Sequence, residues 1–176
     1  MENINISILG FLFNEGMHGY EIFKQISNKK GFGAIYSLKI GKLYAILNKF
    51  EENGFVTTDI QVDGNRPPKK VYAITEKGKK RFNIWMIEPI QHGREIRINL
   101  LLKIYFTKIN SSFNLKSILI NQIEECHRWL GNISNEIEFM EEDNNINSLV
   151  LAFRKSQIEG YIQWLKWCKR SGTNDE

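Results

Sequence analysis

The feature that most constrains the fold is a change of hydrophobic period at Gly54. Before it, apolar side chains recur every three or four positions, which is typical of amphipathic helices. After it, FVTTDIQV has the β-branched content of a strand, DGNRPP has turn residues, and KKVYAI is typical of a second strand. Helical spacing returns in EKGKKRFNIWMI, which Thr75 can cap. The order of three helices, a β-hairpin and a helix predicts a winged helix-turn-helix with a two-stranded wing.

Three short helices are predicted before the hairpin. The first covers residues 4–13, with Asn3 available as its N-cap. The second lies within GYEIFKQISNKKG and ends at Gly31. The third covers residues 41–53 and turns its apolar residues inward.

The second half of the chain reads as wholly helical. After the linker-like stretch EPIQHGRE, we predict helices over residues 95–108 and 115–142, the latter capped by Asn114, and a last helix that reaches residue 169. The two long helices, joined by EEDNNIN, predict an antiparallel pair whose remaining apolar surface a partner subunit can cover. The fold class is therefore mainly α, with the winged helix-turn-helix over residues 1–88 and a C-terminal antiparallel helical domain over residues 89–176, which is predicted to dimerise and is the candidate effector domain.

Charge is unevenly distributed along the chain. The formal net charge is +4; residues 1–88 carry 13 Lys and Arg against 9 Asp and Glu, and residues 89–176 carry 11 against 11. This excess is compatible with nucleic acid or an anionic membrane as partner. We predict no membrane-spanning segment and a location in the cytoplasm.

Enzyme and metal chemistry find no support in the sequence. No Ser/His/Asp set, phosphate-binding glycine loop or carboxylate pair suggests an enzyme, and no Cys/His cluster suggests a metal or other cofactor. Cys126 and Cys168 fall within helical apolar patterns; a core position and a redox switch both fit them.

The stretch SLKIGKLYAIL carries the strongest functional signal. In a helix-turn-helix, the second helix of the motif enters the major groove. Gly41 permits close backbone approach, Lys39 and Lys42 supply donors, Tyr44 can bond a phosphate oxygen, and Asn48 lies one turn further on. Lysine at a helix start opposes the helix dipole at a cost of about 0.3–1 kcal/mol, so an external anion explains the pair better than solvation does.

The hairpin supplies a second, independent signal. Arg66, Lys69 and Lys70 cluster beside a tip that Pro67 and Pro68 stiffen. Narrow A·T-rich minor grooves attract arginine, although a solvated charged turn has the same composition.

Three segments carry a family resemblance. ILGFLFNEGMHGYEIFKQI, GKLYAILNKFEENGFV and NRPPKKVYAITEKGKKRF occur in this order within residues 6–82. With them the chain resembles the PadR family of bacterial transcriptional regulators, in the longer form with an extended C-terminal helical domain. The resemblance implies a homodimeric repressor that binds double-stranded, palindromic operator DNA and exchanges C-terminal helices between subunits.

The resemblance also implies DNA contacts by position. These are Tyr20, Lys39, Gly41, Lys42, Tyr44, Arg66, Lys69 and Lys70. Many family members have Ser-Pro-Gly-Ser or a relative where this chain has Lys39-Ile40-Gly41-Lys42, which implies a different operator or more phosphate-dominated binding.

Aromatic residues suggest an effector site. A pocket for a small, flat aromatic effector and a plain core or dimer interface both fit this helical spacing. The residues concerned are Phe82, Trp85, Phe106, Trp129, Trp164 and Trp167. Two other functions fit the sequence: a winged-helix module that binds protein, and a protein that sequesters a ligand without regulated DNA binding.

Overall fold

The computed structural model describes residues 3–61, 69–138 and 146–171 of the chain. Helices dominate, which confirms the predicted fold class. They are α1 (Asn3–Ile6), α2 (Gly19–Ile26), α3 (Phe32–Ile35), α4 (Ile40–Glu52), α5 (Glu76–Ile87), α6 (Gly93–Ile109), α7 (Leu115–Glu138) and α8 (Ile146–Ser171). The strands are β1 (Met17–His18), β2 (Val56–Gln61) and β3 (Lys69–Ile74).

The predicted hairpin is present, but the sheet has a third strand. β2 and β3 pair antiparallel from Val56↔Ile74 to Gln61↔Lys69, and β1 pairs with the other edge of β3. The two residues of β1 are too few to show a period, so the sequence predicted a two-stranded wing. The added strand anchors the wing to the segment that opens α2.

The local helix predictions differ from the structure at three places. The second helix, α2, ends at Ile26 and not at Gly31, because Asn28 Oδ1 accepts a hydrogen bond from the Lys30 backbone N–H (3.0 Å) and turns the chain. The predicted first helix is α1 followed by a tighter 3₁₀ segment, Ser7–Leu12. The short helix α3 was not predicted, because four residues carry too little periodicity.

Two predicted helix caps are present. Thr75 Oγ1 accepts a hydrogen bond from the backbone N–H of Gly78 (3.1 Å), and Asn114 Oδ1 accepts one from Ser117 (3.1 Å). Both satisfy N–H groups that a helix start leaves unpaired.

The chain forms two compact units whose division differs from residues 88/89. The first unit contains residues 1–86 and 96–113, and the second contains residues 87–95 and 114–176. Most of α6 therefore belongs with the winged helix. The reason is Phe106, whose buried ring contacts the rings of Phe11, Phe32 and Phe82.

The second unit is an antiparallel pair of long helices. α7 and α8 pack along each other, with Leu119 and Cys126 of α7 and Ile158 and Leu165 of α8 buried. The polar turn predicted between them lies mostly in residues 139–145, outside the described residues.

Candidate nucleic-acid interface

Helix α4 has one buried side and three exposed strips. The buried side consists of Leu43, Ile46, Leu47 and Phe50, which pack within the first unit. At 3.6 residues per turn, the opposite side of the helix carries Gly41, Ala45, Asn48 and Glu52, all of them exposed. Tyr44 flanks this central strip on one side, and Lys42 and Lys49 flank it on the other.

The opening turn of α4 is accessible. Lys39 is the N-cap residue in extended conformation, and its side chain makes no capping hydrogen bond. A Cβ atom placed on Gly41 would meet no described atom within 4 Å. Lys42 Nζ lies 3.5 Å from the Tyr36 hydroxyl and remains exposed. The backbone N–H groups here can reach an incoming anion.

A cleft lies between α4, the start of α2 and the wing. It has a volume of about 430 Å³ and brings together four predicted contacts, Tyr20, Tyr44, Lys69 and Lys70. Tyr44 lies so close to α2 that a Cβ atom on Gly19 would be 2.6 Å from its Cε1 atom. A larger residue than the glycine of the GYE motif would force the Tyr44 ring to move away from α2.

The loop that enters α2 closes the remaining side of this cleft. Glu21 accepts a hydrogen bond from the backbone N–H of His18 (2.9 Å), which caps the helix. His18 Nδ1 lies 3.4 Å from the Lys70 carbonyl oxygen, so the loop also contacts the wing.

Lys70 differs from the other cations of the cleft because it already has a partner. Its Nζ atom donates to Glu51 Oε2 of α4 at 2.7 Å, and Thr58 donates to the other Glu51 oxygen at 2.5 Å. These hydrogen bonds lower the pKa of Glu51, and the bond to Glu51 raises the pKa of Lys70. Lys70 therefore fixes the wing to α4, whereas Lys69, which is also exposed, forms no ion pair with a described residue.

A smaller groove on the other side of α4 contains a residue that the sequence interpretation missed. Lys49 lies two turns after Lys42, and both line this groove of about 170 Å³ together with Asn5 of α1. A helical-wheel projection of α4 places Lys49 beside Lys42, so the sequence contained the signal that could have identified Lys49. The remaining wing contact, Arg66, lies outside the described residues with Pro67 and Pro68.

The predicted aromatic pocket residues belong to different units. Phe82, Trp85 and Phe106 are buried in the first unit and contact one another, with ring centroids 5.3–6.4 Å apart. These three therefore form core, the alternative that the sequence left open. Trp129, Trp164 and Trp167 belong to the second unit.

Trp129 lines an open groove of about 840 Å³ within the second unit. Its indole N–H donates to the buried carboxylate of Glu125 at 2.7 Å. The walls are Trp129, Ile133, Ile158 and Tyr161, and the polar rim includes Arg94, Arg154 and His92. Trp164 and Trp167 do not line it; both are exposed on α8.

The segment from the end of α5 to the start of α6, residues 87–93, is hydrogen-bonded to both long helices beside this groove. The side-chain amide of Gln122, buried in α7, accepts from the N–H of Ile90 (2.8 Å) and donates to its carbonyl (3.1 Å). The Tyr161 hydroxyl donates to the Gly93 carbonyl at 3.4 Å. A ligand in the groove would touch the segment that connects to α5 and α6.

Two negative findings concern the described residues. None of their helices is long and apolar enough to cross a membrane. They also contain no group of three or more His, Cys, Asp or Glu side chains arranged to hold a metal ion.

Comparison with known proteins gives consistent matches. Residues 8–84 match the transcriptional regulator PadR-like family. Negative transcriptional regulator PadR of Bacillus subtilis (strain 168) is 25% identical over 175 residues, covering 94% of this chain and 95% of that protein. Among solved structures, Bacillus subtilis PadR with operator DNA has 22% identity and a TM-score of 0.48, over 94% of this chain and 97% of that one. The same protein with p-coumaric acid has 22% identity and a TM-score of 0.44, over 97% and 98%.

Proposed function

Because the chain belongs to the PadR-like family of transcriptional regulators, we propose that it is a homodimeric repressor of an inverted-repeat operator, released by a small aromatic effector. As a member of this family it is a regulator of transcription and not an enzyme, as the sequence predicted. Support for repression comes from the name of its Bacillus subtilis relative, a negative regulator that aligns with nearly the whole chain.

One observation carries the DNA-binding part of this proposal. The exposed face of the first unit combines the open first turn of α4 with a cleft that holds Tyr20, Tyr44, Lys69 and Lys70. Donors thus lie on and beside a helix whose central strip has small side chains. Phosphate contacts of this kind fix a helix in the major groove, and the groove edges then provide sequence discrimination.

The test is selection of bound sequences from random duplex DNA by the full chain, followed by affinity measurements across salt concentrations. We expect an enriched inverted repeat with half-sites about one helical turn, ~34 Å, apart. We also expect Lys42→Ala to reduce the slope of log affinity against log salt by about 1. Lys116→Ala, which removes an exposed lysine of α7, is the matched control and should leave the slope unchanged. Binding without sequence preference would refute the operator-specific form of the proposal.

A second apolar face on α8 supports the homodimer. Leu151, Ile158, Ile162 and Leu165 pack inward, while the opposite face, within about 100° of arc at 3.6 residues per turn, carries further apolar residues. These are Ile146, Leu149, Val150, Phe153, Trp164 and Trp167, with exposed fractions of 38–70%. Gln157 and Gly160 divide this stripe into two apolar clusters, residues 146–153 and 164–167. Exposed apolar clusters on one helix face are typical of a helix that packs against another subunit.

The groove of the second unit supports the effector. Trp129 and Tyr161 offer aromatic surface. The two arginines of the lining, Arg94 and Arg154, outnumber its one carboxylate, Glu136, so the groove favours a negatively charged ligand. A flat aromatic acid fits this combination. Bound there, it contacts Gln91–Arg94 and can bias the dimer between a DNA-binding arrangement and one with a different spacing of recognition helices.

Effector binding can be measured by quenching of tryptophan fluorescence. The probe pair is p-coumaric acid and its uncharged methyl ester, with Arg154→Gln as the variant. We expect the acid to bind more tightly than the ester, the variant to lose that difference, and the acid to weaken operator binding. Equal binding of acid and ester would contradict the role of the arginines.

The two alternative functions give different outcomes in these tests. A winged-helix module that binds protein would show weak DNA affinity that no selected sequence improves. A ligand-sequestering protein would bind the aromatic acid tightly while its DNA affinity stays the same with and without the ligand.

A further inference from the structure

We propose that Asn48 and Ala45 read the base sequence of each half-site, Asn48 by pairing with an adenine and Ala45 by packing on a thymine methyl group. This inference rests on the proposed operator binding and assigns its specificity to two residues of α4. Adenine presents N7 and the N6 amino group in the major groove, and an asparagine amide matches both. Thymine presents its C5-methyl group, which an alanine methyl can contact.

The position of these residues on α4 is the first step. The four buried residues Leu43, Ile46, Leu47 and Phe50 define the inward side of the helix. Directly opposite lies the central strip, in which Ala45 and Asn48 are neighbours three residues apart. A helix that enters the groove with its inward side toward the protein core presents these two side chains to the base edges.

Side-chain size along the strip is the second step. Gly41 and Ala45 are small, so the first two turns of α4 can approach the bases closely. Glu52 ends the strip with a negative charge, which is repelled by phosphates. The helix therefore contacts the groove with its first three turns, as far as Asn48, and leaves it toward Glu52.

The state of the neighbouring polar groups is the third step. Glu51 is bonded to Lys70 and Thr58, and the Asn53 amide donates to the Lys49 carbonyl at 2.6 Å. Tyr44 lies against Gly19. Asn48, by contrast, is exposed, and its amide makes no hydrogen bond to any described residue. Within the central strip of Gly41, Ala45, Asn48 and Glu52, Asn48 is therefore the side chain that can both donate a hydrogen bond to a base and accept one from it.

The fourth step concerns the cations and hydroxyl groups on both sides of the central strip, which can position the strip over the bases. Lys42 and Lys49 lie on one side of it, and Lys69 with the Tyr20 and Tyr44 hydroxyls lies on the other. Contacts from both sides to the two phosphate strands would centre the strip over the bases. Side chains three residues apart on a helix are separated by about 5–6 Å, so the thymine should lie one or two positions from the adenine.

The test is sequence selection with the wild-type chain and with Asn48→Ala and Asn48→Asp. The wild type should select an adenine with a thymine one or two positions away. The Asn48→Ala variant should lose the adenine preference, with about 5- to 150-fold less discrimination at that position, and keep its affinity for random DNA. The Asn48→Asp variant should change the selected base to cytosine, because an aspartate accepts from the cytosine amino group.

Asn83→Ala, an exposed asparagine of α5, is the matched control and should select the wild-type sequence. If the wild type selects a motif that Asn48→Ala reproduces unchanged, the inference is wrong while the proposed function stands. If the wild type selects no sequence at all, the proposed function fails first.

Ala45 is tested by changing the DNA. Replacing the selected thymine by deoxyuridine removes one methyl group, which should weaken wild-type binding about three- to fourfold. Ala45→Gly should bind both duplexes equally, whatever its overall affinity, because the comparison is made within one protein. A thymine preference that persists in Ala45→Gly would overturn the assignment of Ala45.

Discussion

At the scale of single residues, the ion pair between Lys70 and Glu51 attaches the wing to α4. Glu51 receives two hydrogen bonds, one from Lys70 on β3 and one from Thr58 on β2. Both strands of the wing are therefore attached to the last turn of α4. Sequence alone placed Lys70 beside DNA, since a cluster of cations does not reveal that one of them has an acidic partner nineteen residues away.

This ion pair predicts a pH-dependent contribution to stability. The hydrogen bond from Lys70 holds the pKa of Glu51 below its ordinary value. A carboxyl group of this kind stabilises the fold above its unfolded-state pKa, about 4.3, and the contribution is lost as pH falls through the lower folded-state pKa. Glu51→Gln should therefore lower the free energy of unfolding at neutral pH and matter progressively less in acid.

Urea unfolding at pH 7, 5 and 3 measures this effect. Because both side chains are exposed by more than a third, the difference at pH 7 should be below about 1 kcal/mol. Glu52→Gln changes the neighbouring, more exposed carboxylate and serves as control. A deficit of Glu51→Gln that stays constant or grows toward pH 3 would contradict the role of the ion pair.

The two thiols have environments that predict different reactivities. Cys126 is fully buried, and burial raises the pKa of its thiol to about 11. At pH 8 about one molecule in a thousand carries the reactive thiolate. Cys168 is half-buried.

Reaction with a coloured disulfide reagent should label Cys168 well before Cys126 in the native protein. In urea the labelling rates of the two thiols should become equal. Rapid labelling of Cys126 in the native protein would contradict this prediction and favour a redox role for this thiol.

At the scale of elements, the sequence predicted those parts whose signal lies within a few neighbouring residues. The strand KKVYAI and the caps Thr75 and Asn114 are set by local chemistry, and each was predicted correctly. The strand β1 and the unit membership of α6 depend on partners more than fifty residues away. No local pattern carries that information, which explains both differences.

The position of α6 gives a prediction about which fragment folds. Phe106 fills the centre of the first unit, and a Cβ atom on Gly10 would lie 2.4 Å from its ring. A fragment of residues 1–88 lacks this ring and should show no cooperative thermal transition. A fragment of residues 1–113 contains the whole first unit and should unfold cooperatively.

Circular dichroism during heating distinguishes these outcomes. As a matched control, Phe106→Ala in the longer fragment should lose about 3–5 kcal/mol of stability, the usual cost of removing a buried phenylalanine ring. Cooperative unfolding of the 1–88 fragment would show instead that the winged helix is complete without α6.

At the scale of the whole molecule, the excess positive charge lies in the first half of the chain, and the exposed apolar stripe lies on α8 in the second half. The net charge of +4 comes from residues 1–88. The sequence could predict the charge division because charge is additive along the chain. It could not distinguish the aromatic residues that form core from those exposed on α8, because both sets recur at helical spacing and their burial depends on long-range packing.

The stripe predicts that α8 controls both oligomeric state and operator affinity. Phe153 is 64% exposed near the middle of the stripe, and a carboxylate there would be buried without a partner in a dimer. Phe153→Glu should therefore sediment as a monomer at micromolar concentration, whereas we expect the wild type to sediment as a dimer. A monomer engages a single half-site, so its affinity for the full inverted repeat should fall on the order of 100-fold and match its affinity for an isolated half-site.

Ala152→Glu adds the same charge at the neighbouring exposed position, outside the stripe, and should remain dimeric with wild-type affinity. If Phe153→Glu remains a dimer, or becomes a monomer without losing affinity for the repeat, then α8 does not couple assembly to operator binding.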